Sequence, residues 1–148
     1  MTFEAVLASA HLLAILTLVV FLTSQAALCR VEWMNAAVVQ RLARLDMIYG
    51  IAAVILLLSG IARLVWGVKG MGAYTASPLF HLKMTLFVIA FLLSLKPTLT
   101  FRRWKKTLDA SGQLPAPDEI RQTRKWVMWQ GHVVPVIAVV AIFWARGM

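Results

Sequence analysis

Cysteine, acidic residues and charge within the long apolar runs are what this chain has least of. A single Cys29 excludes an intrachain disulfide framework and any multi-cysteine metal or iron–sulfur site. Only six Asp and Glu stand against 15 Lys and Arg. No paired carboxylates, nucleophile elbow, phosphate-binding loop or metal-spaced Cys/His set can be found, so hydrolase chemistry has no support. No internal repeat and no low-complexity segment interrupts the chain. The basic excess does not indicate a nucleic-acid partner, because the charges lie between apolar runs and lack the fold context of such a site. They read as topology signals and anionic-lipid contacts.

What is present is apolar: 61% of the 148 residues are hydrophobic and 14% are charged, with a mean hydropathy of +0.79. Four runs carry this excess, each near the roughly 20 residues needed to cross a bilayer. The spacing predicts an all-α integral membrane four-helix bundle in a single domain, 1–148, with helices at about 3–29, 46–66, 78–99 and 126–144. The first run lacks a basic leader, Glu4 being its only early charge, and is expected to be an uncleaved membrane helix. Pro78 suits the first turn of the third helix, and Pro135 inside the fourth is tolerated as a kink. Residues 100–125 form a basic linker, of which Thr100–Leu108 is expected to prolong the third helix as a basic stretch lying along the membrane surface.

Counting cations orients the bundle. The first linker holds Arg30, Arg41 and Arg44, and the third, from Lys96 to Lys125, holds eight more; the opposite side has only Arg63, Lys69 and Arg146. The positive-inside rule then places both termini outside, N-out/C-out.

With depth assigned, the ionisable residues group. Lys83 opens an otherwise uncharged helix, at a cost of about 2.5–3.5 kcal/mol for a Lys in hydrocarbon. His11 lies roughly 8–13 Å below the outer surface, at ~1.5 Å per residue, and His81 and Lys83 enter from the same side. Arg63 and Lys69 sit at the outer rim. Two nitrogen ligands at matched depth on different helices are what a haem between helices requires, and rim cations suit its propionates. His81 and Lys83 are two apart, about 200° around the axis, so they cannot both face one pocket; the sequence leaves open which does. The plainer readings also stay open: His11 as a helix-to-helix hydrogen bond, Lys83 snorkelling to the headgroups, His81 as an interfacial residue. His132, in the other half, is expected to pair with Asp46 or Tyr49.

Two resemblances add to this reading. The runs Asp46-Met47-Ile48-Tyr49-Gly50-Ile51-Ala52-Ala53, Ser59-Gly60-Ile61-Ala62-Arg63, Lys69-Gly70, Pro78-Leu79-Phe80-His81-Leu82-Lys83-Met84 and Ser94-Leu95-Lys96-Pro97-Thr98 resemble a bacterial family of small four-helix predicted membrane proteins of unknown function. That resemblance implies the fold and a multi-pass place in the bacterial inner membrane. More distantly, His11 and His81-Leu82-Lys83 resemble the HemJ-type protoporphyrinogen oxidases, which have a His early in helix 1 and His-x-Lys opening helix 3. From Leu12 to Gln25 the chain departs from that pattern, with no Trp, Pro or Arg. The resemblance implies haem b and carries over only to His11 and His81-Leu82-Lys83. Joined to the matched depths and the rim cation, it gives His11 as metal ligand, His81, Lys83 and Arg63 around the macrocycle, Lys83 and His11 in any catalysis, and a quinone as electron acceptor. The alternative is a cofactor-free membrane subunit or small transporter with Lys83 as an anion or proton site. Lateral association into a homo-oligomer is expected, because four helices leave much surface facing lipid.

Overall fold

The computed structural model describes residues 2–67, 72 and 75–146. Four long helices account for nearly all of them: α1 (Thr2–Leu28), α2 (Ala36–Trp66), α3 (Pro78–Ser111) and α4 (Pro117–Ala145), with a short 3-10 turn at Val31–Trp33 between the first two. Each is long and apolar enough to cross a membrane.

Residue pairs along the bundle show an up-down-up-down order. His11 of α1 meets Ser59 of α2, Asp46 of α2 meets Thr98 of α3, Arg103 of α3 pairs with Glu119 of α4, and Arg124 of α4 reaches Ala26 of α1. Each helix thus runs antiparallel to the next. The most extensive packing is within two hairpins, α1 with α2 and α3 with α4. One end of the bundle, the terminal end, carries the start of α1, the close of α4 and the α2–α3 connection. The other, the basic end, carries both remaining connections and most of the cations.

The helices extend further at the basic end than hydropathy indicates. Asn35 caps α2, its side chain accepting from the Val38 N–H at 2.9 Å, so the helix starts ten residues before the expected Asp46. Pro97 does not end α3. The helix continues through it to Ser111, and Thr100–Leu108 prolongs it as expected. Gly112, at φ 71°, closes α3 in the left-handed region that only glycine adopts cheaply, its N–H donating to the Leu108 carbonyl. Pro117 opens α4 with Asp118 and Glu119 in the first turn, where carboxylates complement the helix dipole. At ~1.5 Å per residue, helices of 27 to 34 residues are roughly 40–51 Å long, against about 30 Å of hydrocarbon. Hydropathy marks where lipid ends; the backbone hydrogen-bond ladder continues into water.

The packed core lies toward the same end. Leu18, Leu22, Leu42, Tyr49, Phe101, Trp104, Ile120 and Val127 form one cluster with Cys29 and Val39. Phe101 and Trp104 meet edge to face at 5.6 Å. Among the described residues, none of α3 before Ala90 and none of α4 after Gln130 is buried. The distribution has a physical cause: water drives apolar side chains together, whereas lipid tails compete with them on equal terms.

Candidate functional site at the terminal end

Three helices bring the expected residues together near the terminal end. On α2, the Ser59 hydroxyl donates to the Leu56 carbonyl of its own helix at 3.0 Å. With that proton on the carbonyl, the imidazole is the donor in the 2.9 Å contact between His11 Nδ1 and Ser59 Oγ. In that arrangement the imidazole is the Nδ1–H tautomer with its lone pair on Nε2, the disposition that a second partner gives a metal-ligating His. The ring lies against Gly60, where a Cβ would be at an ordinary contact distance of 3.6 Å from His11 Cε1.

Arg63, one turn beyond Ser59, and Lys83 of α3 both lie within electrostatic range of His11 and of each other. The Lys83 ammonium rests against two aromatic faces, 5.8 Å from the Phe80 ring centroid and 5.6 Å from that of Trp144 on α4. His81 turns away. It is exposed, and its Nε2–H donates to the Thr75 carbonyl at 2.9 Å, tying the start of α3 to the loop before it. Of the two residues that could not share a pocket, Lys83 is thus the one beside His11. Lys69 and Gly70 lie outside the described residues.

Among the described residues, no group of three or more His, Cys, Asp or Glu could hold a metal ion. A metal at His11 would have to arrive with its own chelating ring. One oriented imidazole with two cations nearby fits such a group, since a macrocycle needs from the protein only an axial ligand and partners for its acid groups.

The family described as "Predicted membrane protein (DUF2214)" matches residues 3–148. The chain belongs to that family. No curated protein and no solved structure matches it, and these comparisons give the HemJ resemblance no support.

In this DUF2214 chain the expected pairing of His132 with Asp46 or Tyr49 does not form. His132 is exposed, and its Nδ1 bonds the Met128 carbonyl of its own helix at 2.6 Å. The residue two places earlier, Gln130, is the one that turns inward, at 1% exposure; residues two apart point in nearly opposite directions on a helix. Asp46 instead accepts from Thr98 Oγ1 at 3.0 Å. Arg102 is within electrostatic range of it, and the Gln25 carboxamide lies beside it.

This second polar cluster, toward the basic end, was not expected from the sequence. Gln25, Asp46 and Thr98 supply one polar side chain each from α1, α2 and α3, and Gln130 is a buried polar side chain of α4. Gln25 and Gln130 are fully buried, and among the described residues neither Nε2 has a hydrogen-bond partner within normal distance, a property shared by Trp104 Nε1. The available signal was a Gln in an apolar stretch of both α1 and α4. Inside a bundle such residues act as polar contacts between helices.

Proposed function

We propose that this inner-membrane protein binds a haem-type porphyrin near its terminal end, with His11 Nε2 as axial ligand. The observation that carries the reading is the Ser59 contact: with the Ser59 proton on the Leu56 carbonyl, the imidazole donates its Nδ1–H to Ser59 Oγ and carries its lone pair on Nε2. Arg63 and Lys83 would answer the carboxylates of the macrocycle, and the sparse packing between the hairpins there leaves few buried contacts to displace. The porphyrin would supply the redox-active metal. The chain's own contribution is orientation, charge and exclusion of water. The test is a visible spectrum of detergent-purified protein, as isolated, after haem addition and after dithionite. We expect a Soret band that shifts on reduction and is lost in His11→Ala and weakened in Lys83→Ala. A protein that stays colourless after haem addition, or a His11→Ala variant with an unchanged spectrum, overturns the reading. Where haem binds, porphyrinogen oxidation with a quinone acceptor is the assay for oxidoreductase activity.

One observation favours a second reading. Arg63, Lys83 and His11 are within electrostatic range of one another, and among the described residues no acid contributes to the field at either His11 or Lys83. A cofactor-free anion site would have the same composition. It would show as anion-dependent thermal stabilisation of a colourless protein, abolished in Lys83→Met.

A further inference from the structure

A groove runs between α1 and α4 at the basic end, away from the His11 cluster. Its floor is mainly apolar and small, formed by Leu22, Thr23 and Ala26 of α1 with Val127 and Gly131 of α4, the Thr23 hydroxyl being turned back to the Val19 carbonyl of its own helix. Its mouth is cationic, continuing over Arg121, Arg124 and Lys125 toward Trp129. Met128 and His132 border both parts.

Three features make this more than a charged helix face. Arg124 is held across the groove by its Nε–H, which donates to the Ala26 carbonyl at 3.3 Å, so its guanidinium is positioned rather than free to sweep the surface. Arg121 is paired with the exposed Asp118, but no ion pair engages Arg124 or Lys125 among the described residues. Gly131 deepens the channel, since a Cβ built there meets nothing within 4 Å. From Arg121 to His132 the groove spans about 16 Å along α4, at ~1.5 Å per residue. It therefore runs from the level of the headgroups into the hydrocarbon.

We infer that this groove is a binding site for one anionic phospholipid. The phosphate sits between Arg124 and Lys125, and an acyl chain lies along Leu22, Ala26, Val127 and Gly131. The occupant follows from charge and place: the mouth is positive, the floor is apolar, and both open sideways from membrane-spanning helices. A free inorganic anion would leave the apolar floor uncovered, and a zwitterionic lipid would leave the cations without net compensation. The site does not depend on the porphyrin reading.

The test is lipid retention by native mass spectrometry of the full chain in detergent, titrated with phosphatidylglycerol or phosphatidylcholine. We expect one phosphatidylglycerol retained in preference to phosphatidylcholine. In the double variant Arg124→Gln, Lys125→Gln its binding should weaken roughly 25-fold, about fivefold for each cation removed near an anionic group. Gly131→Leu, which fills the channel where the helix has room, should abolish retention without altering charge. Lys105→Gln, Lys106→Gln on α3 removes the same charge elsewhere and should leave retention unchanged. Equal retention of both lipids overturns the proposal. So does an equal loss in the α3 control, or undiminished retention in a folded Gly131→Leu protein.

Discussion

Ser59 has one hydroxyl proton; with it on the carbonyl three residues back, His11 donates its Nδ1–H and carries its lone pair on Nε2. The same one-residue logic separates neighbours elsewhere. His81 and Lys83 diverge because two helical steps carry a side chain to the far face, and Gln130 and His132 diverge for the same reason. Cys29, which follows α1, gives a prediction at this scale. Burial pushes its thiol up to about 12, with Arg124 opposing the shift, and its S–H donates to the Ile120 carbonyl at 3.7 Å. At pH 8 the thiolate fraction is then ~10⁻⁴, and maleimide should label the folded protein far more slowly than the denatured one. Equal rates would show that Cys29 is not buried. Because the folded thiol holds its proton more tightly than the unfolded one, this contribution to stability is complete below about pH 9 and is lost as pH rises toward about 12. Thermal melting in detergent should fall across that window.

Along a single helix, identical residues have different roles according to what surrounds them. Phe101 of α3 has no exposed surface and packs on Trp104, whereas Phe91 of the same helix is 55% exposed among residues expected to face lipid. Phe101→Ala should cost about 3–5 kcal/mol, as large-to-small changes in a packed core do. Phe91→Ala should stay within about 1 kcal/mol, because lipid refills the space as well as the phenyl did. Unfolding in detergent compares the two, and equal losses would contradict a core confined toward the basic end. The helix boundaries follow from the same division. Asn35 as a cap and Gly112 as a terminator are local chemistry that can be read from sequence. The apolar runs alone, however, report the thickness of lipid, and so they truncated α2, α3 and α4 at the basic end.

For the whole molecule, charge sets direction. Eleven Lys and Arg lie in the two linkers expected to be cytoplasmic, against three on the other side, so the basic end should face the cytoplasm. A membrane-impermeant maleimide applied to intact cells should label Thr2→Cys and leave Gln113→Cys unlabelled; the reverse pattern would invert the orientation. Length, hydropathy and charge bias are sums over local sequence, and from them the four crossings, the all-helical class and the expected orientation follow without reference to packing. The grouping of His11 with Arg63 and with either His81 or Lys83 was also legible, because depth along a helix is proportional to residue number. Azimuth is not, and here the tertiary structure decided. Which face of each helix meets a neighbour selected Lys83 over His81 and gave Asp46 to Thr98 rather than to His132. It also buried Gln25 and Gln130 and left the α1–α4 groove open. Those outcomes depend on how four ridged surfaces settle against one another, a property of the assembled bundle that no single apolar run contains.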